Sequence, residues 1–121
     1  MMGNPIYDKA LAFAIRTVNL YKYLSEEKHE LVMSKQLLRC GTSIGANVSE
    51  ALAAESDMDF VHKMAISQKE TKEVLYWLTL RCRTEYLTAT QHTSLEDDCN
   101  ELYKMITSII LSTKQKVNKK S

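Results

Sequence analysis

The sequence predicts an all-α fold, an antiparallel up-down four-helix bundle, and three observations point to it. The 121 residues contain only one proline and three glycines, too few for a β domain that must turn every ~8–12 residues. Apolar residues, 45% of the chain, recur at alternating steps of three and four, the spacing that gathers them on one face of a helix. The interruptions are short polar stretches, and short connections make sequential helices antiparallel neighbours. This length suits one domain. The bundle is assigned to residues 1–113 and a Lys-rich tail to 114–121.

The first helix opens at Asn4-Pro5, with Asn4 as cap and Pro5 at the first helical position. Ile6, Ala10, Phe13, Thr17, Leu20 and Leu24 form one stripe. Tyr7, Leu11, Ala14, Val18 and Tyr21 form a second beside it. Two stripes exceed the single apolar face a bundle position needs, so one side of this helix should meet something beyond the chain's own core.

Ser25, followed by Glu26 and Glu27, reads as the start of a second helix running from about Glu26 to Glu55. Its inner stripe is Leu37, Gly41, Ile44, Val48 and Ala51. Ser56, with Asp57 and Asp59 suited to the positive end of a helix dipole, begins a third that continues to about Tyr86. Phe60, Met64, Ser67, Thr71, Val74 and Leu78 line its core face. Thr93 with Glu96 three residues on matches a capping box before the fourth helix. Leu95, Cys99, Leu102, Ile106 and Ile109 face its core, flanked by Tyr103 and Ile110.

Gly41 and Gly45, one turn apart, pose the main functional question. A phosphate-binding loop needs glycines between a strand and a helix, usually with Lys-Ser or Lys-Thr after them. Here "ELVMSKQLLRC" precedes and "ANVSEA" follows, which is helix material without that signature. Inside a helix each glycine costs ~1 kcal/mol against alanine, a cost that close packing must offset. In an antiparallel hairpin turning near Ser56, facing positions sum to about 112. That places Gly41 against Thr71, and Gly45 against Ser67. It also sets Arg39 near Glu73, with Glu70 one turn away, which gives either an ion pair between the two helices or an exposed network of pairs within each helix.

The formal charge is +1. Lys114, Lys116, Lys119 and Lys120 carry +4 of it, which leaves −3 on residues 1–113 and argues against a strongly basic nucleic-acid binder. The N-terminus lacks the apolar core of a secretory signal, and no apolar run approaches the ~20 residues of a membrane span. Cys40, Cys82 and Cys99 form no C-x-x-C pair; an odd count without an export signal suits reduced, packed thiols in the cytoplasm. A di-iron bundle needs two Glu-x-x-His pairs, and Asp59-x-x-His62 is a single imperfect match. His29 and His92 sit at expected helix starts, facing water. No catalytic residue, metal ligand or cofactor is assigned. Tyr76 and Trp77 have the rings to stack on bases, but their spacing with Val74 and Leu80 favours core or interface.

"SKQLLRCGTSIGANVSEA" and, after a short gap, "DFVHKMAISQKETKEVLYWL", together with "DKALAFAIRTVNLYKYL" near the N-terminus, resemble the four-helix bundle family of 23S ribosomal RNA intervening-sequence proteins. The resemblance covers roughly Tyr7 to Tyr86, with several motifs in order; the fourth helix matches in character only. That family is named for reading frames inside insertions in bacterial large-subunit ribosomal RNA genes. A related branch is the accessory protein of diversity-generating retroelements, a pentameric barrel of bundles that associates with a reverse transcriptase and nucleic acid. The resemblance therefore implies a homo-oligomer, a pentamer first, and RNA or a reverse-transcriptase-like protein as partner. This chain departs from the strongly basic retroelement branch. Lys35, Lys63, Lys69, Lys72, Arg81 and Arg83 are the candidate nucleic-acid-binding residues, but acidic residues share their span, and a mixed face binds phosphate weakly unless geometry separates the signs.

Two readings follow. One is a non-enzymatic oligomeric scaffold that engages RNA or protein. The other is a bundle enzyme with a metal or acid-base site built on Glu50, His62, Glu70 and Glu73.

Overall fold

The computed structural model describes residues 3–119 and the backbone of Lys120; Ser121, the last residue assigned to the tail, lies outside the described residues. Four helices, α1 (Pro5–Glu26), α2 (Val32–Leu52), α3 (Asp57–Arg83) and α4 (Ala89–Lys120), form an antiparallel up-down bundle. Each packs against its sequence neighbour, and the α1–α4 seam that closes the bundle is the lightest. Ala10, Phe13, Ile44, Val48, Met64, Val74, Leu102 and Ile106 fill the centre.

The helix starts follow local hydrogen-bond chemistry. Asn4 Oδ1 accepts from the Tyr7 amide at 3.1 Å, with Pro5 next in sequence. Ser56 Oγ accepts from the Asp59 amide at 3.0 Å. Two starts differ from expectation. Ser25 caps nothing: its hydroxyl donates back to the Tyr21 carbonyl, and α1 runs through it. A loop with His29 at φ 56° intervenes, and α2 begins at Val32. Glu30 caps it instead, its carboxylate accepting from the Met33 and Ser34 amides at 3.0 and 2.8 Å. The capping box of α4 is Thr88 with Gln91, each accepting from the other's amide at 3.1 and 2.9 Å. Thr93 and Glu96 lie inside the helix. So does His92, largely covered and 3.4 Å from Glu96. The helix continues through 114–120 without a break.

The two glycines are helical, but they approach α1 and not α3. A Cβ on Gly41 would stand 2.4 Å from Thr17 Cγ2, and one on Gly45 3.4 Å from the Ala10 carbonyl oxygen. The expected pairings of Gly41 with Thr71 and Gly45 with Ser67 are therefore corrected. Residues next to the glycines meet α3: Ser67 Oγ donates to the Ile44 carbonyl at 2.9 Å, while the Thr71 carbonyl accepts from Cys99 of α4 at 3.3 Å. Summing positions fixes height along a hairpin, not rotation about each axis. The stripe of α2 spans both neighbours, with the glycines on its α1 flank.

Among the described residues, no helix is long and apolar enough to cross a membrane.

Candidate functional site

On the α2–α3 seam, Arg39 reaches both Glu73 and, at 3.4 Å, Glu70. Glu73 also accepts from Trp77 Nε1 at 3.1 Å. Burial pushes the Glu73 carboxyl up, but the hydrogen bonds from Arg39 and Trp77 outweigh it and hold the group below its ordinary value. The hydrogen bond to Glu73 in turn raises Arg39. Beneath them, burial and the charge of Glu73 push the Cys40 thiol up to about 12.

Cys40, Glu70 and Glu73 bring one potential ligand atom each within 4.8 Å of one another. This donor set suits a metal poorly. Arg39 already neutralises both carboxylates. The residues of the enzymatic reading do not converge either. Glu50 pairs with Lys63 at 3.6 Å. It stands eleven positions along α2 from Arg39, about 16 Å at the helical rise. His62 is exposed on α3.

The six candidate nucleic-acid residues separate into distinct environments. Lys35 is exposed on α2, Lys63 is tied to Glu50, and Lys69, Lys72 and Arg83 are exposed on α3. Lys72 also places its ammonium 4.0 Å from the Tyr103 ring centroid, within cation–π range. The exposed positions of α3 are Met58, His62, Ala65, Lys69, Lys72, Tyr76 and Arg83, at alternating steps of four and three with the last a double turn on. None is acidic; Glu70 and Glu73 turn toward α2. The signs that mix in sequence are thus sorted in space. Tyr76, 60% exposed, stands among the cations, edge-on to Trp77 with centroids 5.1 Å apart.

Arg81 is the correction. It is wholly buried and cannot meet a phosphate from solvent. Nη1 lies 3.6 Å from the Glu30 carboxylate, Nη2 donates to Met33 Sδ at 2.8 Å, and the guanidinium stacks 4.8 Å from the Tyr86 centroid. Nε and Nη1 have no hydrogen-bond partner. The sequence did carry a signal: the stripe Val74, Leu78 continues by three to Arg81. Glu30 is likewise buried. Desolvation raises its carboxyl, but hydrogen bonds from Ser34 and Met33 and the charge of Arg81 outweigh it and leave the group lowered.

The outer face of α1 leaves Leu11 47%, Ile15 55% and Val18 37% exposed. Tyr7, Ala14 and Tyr21 are half-buried on the same side. Along this stripe the exposed Asp8 and Lys22 bracket the apolar stretch, which runs about two turns from Leu11 to Val18.

Residues 3–108 match the family described as 23S rRNA-intervening sequence protein. The fold is also similar to a crystal structure from Bacteroides thetaiotaomicron, a protein of unknown function from the S23 ribosomal protein family. The two share 53% identity with a TM-score of 0.86, over 87% of this chain and 97% of that one. No curated protein matches.

Proposed function

This chain belongs to the 23S rRNA-intervening sequence protein family, and from that premise we propose that it is the subunit of a non-enzymatic homo-oligomeric scaffold, a pentamer first, acting in the cytoplasm. The observation that carries the reading is the apolar face of α1. Exposed Leu11, Ile15 and Val18 continue the half-buried Tyr7, Ala14 and Tyr21. A contiguous apolar strip of this kind on a soluble helix marks an interaction surface. The three cysteines are free, which suits a reducing compartment. Light scattering tests the assembly directly: the expected mass is several times 13.9 kDa, and a strict monomer at micromolar concentration overturns the reading.

A second element of the reading is RNA. The acid-free outer face of α3, with Lys69, Lys72 and Arg83 around Tyr76, combines phosphate-neutralising cations with a stacking ring, the pairing used by single-strand binders. Repeating that face around an oligomer raises its affinity by multivalency. A reverse-transcriptase-like protein is the protein partner this assembly would serve. Fluorescence anisotropy with a single-stranded RNA oligonucleotide checks the face. Loss of binding on reversing Lys69 and Lys72, with oligomer mass unchanged, is the expected result.

A further inference from the structure

Where α1 finishes and α4 begins, the seam between them parts into a groove of about 440 Å³, a volume within the range of small-ligand sites, about 300–1,000 Å³. Half-buried Leu20 and buried Leu95 supply its apolar surface, with the Tyr23 ring beside them. The register that Lys9–Glu101 and Arg16–Ser94 set along the seam places Asn19 across from Gln91, and both line the groove. Their amides are open to a ligand. Asn19 is exposed, and its side chain makes no hydrogen bond among the described residues, so it keeps a donor and an acceptor. Gln91 uses its Oε1 to accept from the Thr88 amide and keeps the two donors of Nε2. Arg16, by contrast, is engaged. Nη1 bonds Asp98 and, at 3.3 Å, the Ser94 carbonyl, while Nη2 donates to the Ser94 hydroxyl at 2.9 Å. Lys28 stands over one face of the Tyr23 ring, 5.9 Å from its centroid, and does not line the groove.

From this combination we infer that the groove binds an adenine base, which lies on Leu20, Leu95 and the Tyr23 ring and is read at its edges by Asn19 and Gln91. An apolar surface with a few converging neutral polar groups takes a flat, uncharged heteroaromatic ligand. The groove offers a phosphate no free charge, because Asp98 neutralises Arg16. The open groups also choose among bases. Adenine presents an acceptor beside a donor, N7 and N6, the match for one side-chain amide. That amide is Asn19, and a further ring nitrogen of adenine accepts from Gln91 Nε2. Guanine presents two adjacent acceptors, O6 and N7, the pattern a free guanidinium reads, and both Nη atoms of Arg16 are taken. Arg16, held flat by Asp98 and Ser94, instead offers a plane on which a base stacks. The base comes from a free nucleoside or from an unstacked residue of single-stranded RNA; the chemistry read is the same. Among the described residues α1 makes no contact with α3, so this site stands apart from the α3 face proposed for RNA.

The probes are adenosine and a short oligoadenylate, with guanosine and indole as comparators, and methyl NMR of the full chain reads where each binds. The expected result is a saturable shift of the Leu20 and Leu95 methyls with adenosine. Oligoadenylate shifting the same methyls more tightly than adenosine identifies RNA as the source of the base, and the reverse order identifies a free nucleoside. Asn19→Asp removes the donor to N7 and should weaken adenosine about tenfold, the worth of an amide–adenine pair. Asn19 is exposed and makes no side-chain hydrogen bond, so circular dichroism and oligomer mass should not change. Tyr23→Leu should also weaken binding, whereas Tyr76→Ala on the α3 face should leave it unchanged, which separates this test from that of the RNA face. No shift with about 1 mM adenosine or oligoadenylate base overturns the inference. So does guanosine or indole binding as tightly as adenosine, or an Asn19→Asp variant that binds adenosine as the parent chain does.

Discussion

Arg81, near the end of α3, lies wholly buried with its Nη1 3.6 Å from the carboxylate of Glu30, which caps the start of α2. One cation thereby fastens the loop between α1 and α2 to the last turn of α3. The two halves of this pair are not equally dependent. Glu30 accepts from the Met33 and Ser34 amides and from the Ser34 hydroxyl. Arg81 has Nε and Nη1 without a hydrogen-bond partner. Removing the carboxylate strands a buried charge, a loss of about 3–5 kcal/mol. Removing the guanidinium leaves a carboxylate that is still hydrogen-bonded. Glu30→Ala is therefore expected to destabilise by about that amount, and Arg81→Met by clearly less. Urea unfolding at one fixed protein concentration reads both, since assembly shifts apparent stability. Equal losses would show that Arg81 carries the junction.

The same carboxylates set a pH dependence. Glu30 and Glu73 both titrate below their ordinary values in the folded chain. A depressed carboxyl binds fewer protons folded than unfolded near its pKa, so its stabilisation is complete above the unfolded value of about 4.5 and is lost as pH falls through the folded one. Unfolding midpoints should hold steady from pH 7 to about 5 and then drop. Glu30→Gln should be less stable at pH 7 and flatter below pH 5. A variant that keeps the full acid slope would remove Glu30 from its cause.

Gly41 and Gly45 should respond oppositely to alanine. A Cβ at Gly41 meets Thr17 Cγ2 at 2.4 Å and its hydroxyl at 2.6 Å, so something must shift, whereas at Gly45 the nearest atom is 3.4 Å away. Overpacking costs about 1–3 kcal/mol, against about 1 kcal/mol gained in helix propensity. Gly41→Ala is expected to destabilise, and Gly45→Ala to be neutral or mildly stabilising. Thr17→Ala should rescue Gly41→Ala, because the Thr17 hydroxyl only donates within its own helix to Phe13. Thermal melts of the two single variants and the double variant supply the cycle.

These contrasts show what residue spacing does and does not encode. The order, direction and core stripes of the helices are legible because periodicity reports them directly. The height relation of α2 and α3 is legible too, since counting from Ser56 sets Arg39 beside Glu73 and Glu70. Rotation is not. Whether Gly41 looks at α1 or α3 depends on side-chain volumes on three helices at once, and a one-helix pattern carries none of that. Arg81 escapes a reading by residue type for another reason: a guanidinium reads as solvent-facing, although its spacing continues the buried stripe Val74, Leu78. Ser25 and Thr93 look like caps by residue type. Local competition decided otherwise, because Ser25 bonds back to Tyr21 and the Thr88–Gln91 pair starts α4 a turn earlier.

Cysteine reactivity offers a test of the core. Burial pushes the Cys40 and Cys99 thiols up to about 12, while Cys82 is only half-buried. The thiolate is the nucleophile, so Cys40 and Cys99 should resist iodoacetamide at pH 8 in the folded chain. Cys82 should be alkylated first, and all three should react in denaturant. Mass spectrometry of timed samples gives the order. Early modification of Cys40 would mean that the Arg39–Glu73 seam opens readily.

The acid-free face of α3 makes the most exposed prediction. If Lys69, Lys72 and Arg83 each neutralise a phosphate, binding of single-stranded RNA must fall with salt, with a log–log slope of roughly 0.7 per phosphate contacted. Reversing all three to glutamate should weaken binding and reduce that slope by about two units per subunit. Tyr76→Ala should weaken binding by about 1–3 kcal/mol with the slope unchanged, because stacking releases no counterions. Lys63→Glu is the internal control. Lys63 lies off this face and is tied to Glu50 at 3.6 Å, so its reversal should move the slope far less. A Lys63 variant that lowers the slope as much as Lys69 or Lys72 would relocate the contact to the α2–α3 edge and remove the outer face of α3 from RNA recognition.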